Sequence, residues 1–334
     1  MNVVTLTLNP AIDQSVAVPG FAAGTVNRVL REQSDPGGKG VNVASFLADL
    51  GHTAKGTNTG TVTVTGLLGR DNAGEFEQLF KSKGIADEFV RIPGKTRVNV
   101  KIIDETTQAI TDLNFPGCAA SETDLARLEQ RIDSLLPEHD WFVLSGSTPA
   151  GVANDYYARL IQRLNAAGKR VLLDSSGEPL RQGIAATPWA IKPNIAELEE
   201  LVGTPLPDTA AVIVAARALL ARGLGCVVVS MGGDGALFVT ADECLHAQPP
   251  QIEVKSTVGA GDAMVAGFIA GQLRGLSLAD SAKLATASAL GALTQLGPRL
   301  PAAEVIAAFM QSVTLREVVL GYAIEPLTQP TATT

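Results

Sequence analysis

Ser256-Thr257-Val258-Gly259-Ala260-Gly261-Asp262 is the stretch that decides how this chain is read. It leads into a run of small and apolar residues, 263–273, that reads as a helix, and it follows Ile252 and Val254, which read as strand-like. Gly259 and Gly261 accept backbone angles closed to residues with a side chain, so successive N–H groups can turn into one concavity. At a helix N-terminus such a concavity suits a phosphate, because unpaired N–H groups and the helix dipole both favour an anion there. Asp262 runs against that logic. A carboxylate beside an anion hole repels the phosphate, unless its task is to take a proton from an attacking hydroxyl. A glycine turn followed by an acidic cap would give the same letters, so the rest of the chain has to decide.

The 334 residues suffice for a large α/β core plus a smaller appendage. With 46% hydrophobic and 18% charged residues the composition is that of a soluble globular protein. No apolar run reaches the roughly 18 residues of a membrane span, and the first residues lack a secretory start, which argues against a membrane partner. Cys118, Cys226 and Cys244 are odd in number and far apart, which predicts reduced thiols and a cytoplasmic protein. His52, His139 and His246 are equally scattered, which speaks against zinc or iron. A net charge of −8 argues against nucleic acid as a partner. It also means that an anionic substrate needs local cations.

Residues 3–8 (VVTLTL) read as a buried strand, and residues 15–18 and 27–33 as short β pieces. Residues 40–50 carry apolar positions at helical spacing. Residues 97–103 and 110–114 alternate apolar and polar, as strands with one wet face do. From Trp141 the pattern becomes βα units, with strands at 141–144, 170–173, 226–229 and 237–239 and helices at 154–167, 195–202 and 210–221. Such alternation predicts a mostly parallel sheet covered on both faces. The alternating strands do not belong in it and are assigned to a small β lid, within 14–35 and 96–115. The Thr/Gly-rich stretch 53–66 reads as an exposed loop, 54–60, followed by a strand at 61–65. The organisation expected is therefore one domain over 1–312 and a frayed polar tail over 313–334.

Three further segments make chemical sense beside Gly259–Asp262. Ser230-Met231-Gly232-Gly233-Asp234-Gly235 follows the apolar strand at 226–229, where glycines let backbone approach a nucleotide at the rim of a sheet, though a tight turn would explain them too. The pattern GxxxxGK[ST] is absent, which excludes a P-loop enzyme. In Lys192-Pro193-Asn194-Ile195-Ala196-Glu197, Asn194 is a strong N-cap and Glu197 lies one turn on, a capping arrangement. The same pair offers oxygens to a Mg²⁺–water cluster while Lys192 reaches a phosphate, since magnesium keeps its waters and takes few protein ligands. Pro36-Gly37-Gly38-Lys39-Gly40-Val41-Asn42 opens another helix. There Gly38 lets a small ligand reach backbone N–H groups, Asn42 can bond sugar hydroxyls, and Lys39 is either a solvated loop lysine or a phosphate anchor.

Together, GGKGVNVASFLADLG (37–51) and STVGAGDAMVAGF (256–268) resemble the two signatures of the ribokinase-like, or PfkB, family of sugar kinases. KPNIAELEEL (192–201) and SMGGDGAL (230–237) stand where that family keeps its Mg²⁺-linked and ATP-binding segments. The resemblance runs over about residues 2–312. TLTLNPAID (5–13), TRVNVKI (96–102), LSGSTPAGV (144–152) and LLDSSGEPL (172–180) are similar to the branch that acts on sugar phosphates. LLGRDNAGEFEQLF (67–80) and TDLNFPG (111–117) point, within it, to enzymes of fructose 1-phosphate.

The resemblance implies an αβα sandwich with a mostly parallel central sheet and a β lid over the sugar site, the lids of two subunits packing as a homodimer. It implies ATP and Mg²⁺, and transfer to O6 of fructose 1-phosphate to give fructose 1,6-bisphosphate. Asp262 is then the general base, with Gly259, Ala260 and Gly261 N–H groups stabilising the transferring phosphoryl group. Asp13, Gly38 and Asn42 hold the sugar, and Lys39 and Arg97 take its existing phosphate, with Asn27 and Arg28 as further candidates. Lys192, Ser230, Gly232, Gly233 and Gly235 face the nucleotide, and Asn194 and Glu197 the metal, through water. The alternatives are a kinase of tagatose 6-phosphate or fructose 6-phosphate in the same family, and a sugar-phosphate sensor without catalysis.

Overall fold

The computed structural model describes residues 1–52, 60–107 and 109–318. The chain opens with β1 (Val3–Thr7), β2 (Ala11–Ala17), β3 (Arg31–Gly37), α1 (Lys39–Asp49) and β4 (Val62–Gly69). There follow α2 (Gly74–Lys83), β5 (Ala86–Ile92), β6 (Arg97–Asp104), β7 (Ala109–Leu113) and α3 (Glu122–Leu135). The βα units begin with β8 (Trp141–Ser145), α4 (Tyr156–Ala166), β9 (Arg170–Asp174), α5 (Gly177–Ala185) and β10 (Ala190–Ile191). They continue through α6 (Ile195–Val202), α7 (Thr209–Leu220), β11 (Cys226–Ser230), β12 (Ala236–Val239) and β13 (Cys244–Gln248). The chain closes on α8 (Ala260–Leu273), α9 (Leu278–Leu293), α10 (Ala303–Ser312) and β14 (Thr314–Glu317).

Ten strands form one sheet in the order β14-β13-β12-β11-β10-β9-β8-β1-β4-β5. From β11 to β5 every pairing is parallel, while β12, β13 and β14 extend the sheet antiparallel. Successive side chains of a strand leave on opposite faces, and this splits the core in two. Trp141 and Val143 pack on one side with α1, α2, α8, α9 and α10. Phe142 and Leu144 pack on the other with α3 to α7. The strands read as continuous apolar runs because both faces are covered. No helix among the described residues is long and apolar enough to cross a membrane.

The lid is a separate four-stranded sheet, β3-β2-β6-β7, with its own small cluster of Val16, Val18 and Ile102. β2 starts earlier than the sequence suggests, and β3 runs over Arg31–Gly37 rather than 27–33. The reason lies in Asn27, whose side chain bonds the Ala22 carbonyl and N–H and holds a turn in place of a strand. β3 itself (REQSDPG) is a polar edge strand, which leaves no apolar alternation to read.

Two other expectations need correction. Residues 251–258, with Ile252 and Val254, form no strand, and Lys255 and Ser256 instead donate their N–H groups to the Leu293 carbonyl. Thr314–Glu317 is not part of a frayed tail but pairs with β13, so the domain continues past 312. The loop expected at 54–60 lies, but for Gly60, outside the described residues, and the strand beside it is present as β4.

Candidate active site

Two helix N-termini meet at the site. α8 starts from Gly259, which sits in the left-handed region at φ 77°, where a side chain would be strained and its Cβ would stand 3.2 Å from Phe46 Cζ. No side chain caps α8, so its first N–H groups remain free for an anion. α1 starts from Gly38, with Lys39 as its first residue. The turns are joined by a hydrogen bond, Asn42 Nδ2 donating to Asp262 Oδ2 at 2.8 Å.

Asp262 lies in the first turn of α8, where the dipole should favour its anion. Burial outweighs this and, with the nearby charge of Asp174, pushes the Asp262 carboxyl up to about 7 against the opposition of Lys39, the Asn42 bond and Lys192. A carboxylate with that proton affinity in the mouth of an anion hole suits a general base.

A cavity of about 340 Å³ opens over it, lined by Asp13, Gly38, Lys39, Asn42, Arg97, Gly259 and Asp262 together with Asn9, Asn99 and Ser147. All five residues expected at the sugar thus face one space with Asp262. A larger cleft of about 450 Å³ between α4 and α5 gathers Gln162, Gln182, Arg181 and Arg222 but no carboxylate, so it offers cations to an anion and no base for an attacking hydroxyl.

Within the cavity each candidate has a definite support. Asp13 on β2 stands opposite Asn99 on β6 and Asp35 on β3. Asn99 Nδ2 donates to Asp13 Oδ1 at 3.1 Å. Burial pushes the Asp13 carboxyl up, opposed by the Asn99 bond and the charges of Arg97 and Lys101. Arg97 donates to the carbonyls of Asn9 and Phe115, each at 3.1 Å, and has no carboxylate within ion-pair distance among the described residues. Its guanidinium therefore ties the lid to the β1–β2 loop and keeps donors in reserve. Lys39 is no solvated loop lysine. Burial disfavours its charge, but Asp174 and Asp262 outweigh this and hold its ammonium well above the usual range.

The nucleotide-side candidates form a second group at the carboxyl ends of β10 and β11. Asn194 and Ser230 are bridged there, and Ser230 N–H donates to the Pro193 carbonyl at 3.0 Å. Gly232 and Gly233 border open space, as a backbone approached by a ligand requires. Gly235 has a structural reason of its own, since a Cβ there would stand 2.0 Å from the Ala247 carbonyl oxygen on the neighbouring strand. Lys192 is buried, its Nζ 3.5 Å from where a Cβ on Gly261 would stand, and so joins this group to the anion hole. Asn27 and Arg28 lie in the exposed β2–β3 connection and do not line the cavity.

Asn194 and Glu197 form the capping box read from sequence, at 2.8 and 2.9 Å. Asn194 Oδ1 and Glu197 Oε2 are thereby engaged, and Glu197 Oε1 alone remains without a hydrogen bond among the described residues. Among those residues no trio of His, Cys, Asp and Glu could hold a metal. The donor set fits magnesium held through water by one glutamate oxygen, not a protein cage.

The residue that sequence reasoning passes over is Asp174. It ends β9, is fully buried, and on one oxygen accepts a hydrogen bond from Lys39 Nζ at 3.1 Å and pairs with the Lys192 ammonium at 3.5 Å. The only signal for it is a carboxylate closing an otherwise apolar strand (RVLLD), where parallel sheets place their ligands.

A profile of the pfkB family carbohydrate kinases matches residues 2–304. The chain is 48% identical over 317 residues to the 1-phosphofructokinase of Rhodobacter capsulatus, across 95% of this chain and 98% of that protein. It is 40% identical over 314 residues to the 1-phosphofructokinase of Escherichia coli K12, across 94% and 98%. Among solved structures, phosphofructokinase-2 from Escherichia coli in complex with substrates and products superposes with a TM-score of 0.84 at 29% identity, over 93% of this chain and 99% of that one. A possible 1-phosphofructokinase from Thermotoga maritima gives 0.84 at 28% identity, over 96% and 100%.

Proposed function

The chain belongs to the pfkB family of carbohydrate kinases, and we propose that it carries the γ-phosphoryl group of ATP to O6 of fructose 1-phosphate, giving fructose 1,6-bisphosphate and ADP. The observation that carries this reading is the Asp262 carboxyl, buried at the mouth of an uncapped helix N-terminus and held near pH 7. A pure sensor gains nothing from such a group. Relatives named 1-phosphofructokinase at 40–48% identity, against 28–29% for the phosphofructokinase-2 structures, support the 1-phosphate over the 6-phosphates as substrate.

In the transfer, the O6–H proton passes to Asp262 as the O6–P bond forms. The bond from the γ-phosphorus to the β–γ bridging oxygen breaks, and its electron pair leaves with ADP. Phosphoryl transfer asks for little covalent help, so the chain contributes position and charge. The N–H groups at Gly259, Ala260 and Gly261 face the charge on the moving group, and Lys192 supports it from the nucleotide side. Asp13 and Asn42 hold sugar hydroxyls beside Gly38. Lys39 and Arg97 supply the cations that a protein of net charge −8 needs to receive a second phosphate. Ser230, Gly232 and Gly233 accept the nucleotide, with Gly235 shaping their turn. Glu197, its side chain fixed by Asn194, would hold the magnesium of Mg-ATP through water, and the ion would offset part of the charge of the phosphates.

Val26, Val29, Leu30, Ile110, Leu113 and Phe115 are exposed in and around the lid, and we assign them to a lid-to-lid homodimer. A doubly acidic variant, Val29→Asp with Leu30→Asp, then runs as a monomer in light scattering, and an unchanged mass refutes the assignment. The free cysteines suit a cytoplasmic protein. The reaction itself is tested by phosphorus NMR of a mixture with Mg-ATP and fructose 1-phosphate. It should yield fructose 1,6-bisphosphate and ADP in equal amounts, and ATP left intact, or hydrolysed without a new sugar resonance, rejects the function.

A further inference from the structure

Asp174 stands between the two halves of the site. Its side chain has no exposed surface, and its Oδ2 has no hydrogen-bond partner among the described residues, so its charge is met by the groups beside Oδ1. These are Lys39 Nζ at 3.1 Å, from the turn of α1 beside the sugar cavity, and Lys192 Nζ at 3.5 Å, from the connection that leads to α6. Among the described residues neither lysine has another carboxylate within 4 Å. Lys192 is 7% exposed, and an ammonium so buried keeps its place only beside a counter-charge. Four rotatable bonds would otherwise let either lysine drift from the phosphate it faces.

Resting on the kinase reading above, we propose that Asp174 is a positioning residue for phosphoryl transfer, one carboxylate oxygen fixing the sugar-side and the nucleotide-side lysine about Asp262. The charges facing Asp262 are then Asp174 from β9, Lys39 from α1 and Lys192 from the β10–α6 connection, with Asn42 as its hydrogen-bond donor. Glu197 from α6 acts on Lys39, and the Tyr157 phenol of α4, pushed up mainly by burial, also feels Asp174. With Asp262 ionised, the two acids and two lysines cancel. When Asp262 takes the O6 proton, this group gains one positive charge as the bound substrates gain one negative charge. Asp174 thus holds the lysines in place while leaving them free to answer that change. Its negative charge also strengthens the hold of Asp262 on a proton, as the upward shift of that carboxyl indicates.

The test compares Asp174→Asn, which removes the charge, with Asp174→Glu, which keeps the charge but moves the oxygen by one methylene. The readout is the acid limb of kcat/KM for Mg-ATP, measured with fructose 1-phosphate saturating. In the Asn variant the limb should move to lower pH by about one unit, because a like charge has gone and the lysines are released toward Asp262. KM should rise on the order of tenfold for both substrates, since both lysines lose their anchor. In the Glu variant the limb should stay within about 0.3 unit of wild type, while both KM values rise. A purely structural residue would lower kcat in both variants and leave the limb in place.

The proposal falls if the limb of the Asn variant does not move, or if only one substrate's KM changes. It falls as well if added magnesium alone restores the variant, which would make Asp174 a metal-binding group. Should the Asn variant give no cooperative melt, the Glu variant decides, and wild-type KM values for both substrates would refute a fixed anchor. Wild-type turnover is the control. Its absence rejects the proposed function, whereas normal turnover with an unmoved limb rejects the role of Asp174 alone.

Discussion

Replacing Asp262 by Asn should slow turnover sharply and at the same time stabilise the fold in neutral and alkaline solution. Burial, and after it the charge of Asp174, raises this carboxyl from 3.8 to about 7. A folded-state pKa above the unfolded one means that the native chain binds the proton more tightly. The ionisation penalty is therefore absent below the unfolded pKa and grows as pH rises toward the folded value. At 1.36 kcal/mol per unit it is on the order of 4 kcal/mol above pH 7 and about 1–2 kcal/mol at pH 5. Asn keeps the size of the side chain and never ionises. The stability gap between variant and wild type should then widen by roughly 2–3 kcal/mol between about pH 5 and pH 8. One kcal/mol moves Tm by about 2–4 °C in domains of 150–250 residues, so the gap should grow by roughly 5 °C. Calorimetry of both proteins across that range checks it, and a gap that stays constant or narrows with pH refutes the argument. In the same preparations kcat should fall by at least about 10²-fold with nucleotide binding retained. A variant keeping a third of wild-type kcat removes Asp262 from the mechanism.

In the wild-type protein, activity should rise with pH through about 7 as Asp262 loses its proton, and a rate independent of pH from 5.5 to 8 would contradict that assignment. Arg97→Ala should raise KM for fructose 1-phosphate by about 10- to 100-fold and KM for ATP far less. Equal effects would show that its bonds to the Asn9 and Phe115 carbonyls are its whole role. Gly259→Ala forces a side chain into φ 77° and toward Phe46, costing roughly 1–2 kcal/mol and distorting the anion hole. Its Tm should fall and its KM for ATP rise, and a variant with wild-type values would mean that the turn does not require glycine.

The parallel sheet was legible because its strands are buried on both faces, so VVTLT, WFVLS and CVVVS stand out as apolar runs between helical patterns. The lid strands β6 and β7 were visible as alternation. β3 was read too early, at 27–33, and β14 not at all, because REQSDPG and TLRE are polar edge pieces that pair through backbone, and backbone pairing leaves no trace in side-chain pattern. At the site, glycines beside an acid or an asparagine at a helix start announced Asp262 and Asn42 locally. Asp174 has no such signature. Its partners lie 135 residues back, at Lys39, and 18 residues on, at Lys192, and only the sheet order brings them together. The same limit holds for Asn99, which supports Asp13 through the register of β2 on β6.

The central claim is that the Arg97 guanidinium, at the lid end of the cavity, holds a phosphate while Asp262 addresses the hydroxyl at the other end of the sugar. The furanose ring of fructose is pseudo-symmetric, so a 6-phosphate could enter reversed, but an anchor built for the 1-phosphate then misplaces the attacking oxygen. A displacement of about 1 Å can cost on the order of 10²-fold. The most direct measurement is kcat/KM for fructose 1-phosphate against fructose 6-phosphate and tagatose 6-phosphate under identical Mg-ATP. Fructose 1-phosphate should exceed both by about that factor, and a preference for either 6-phosphate would contradict the account.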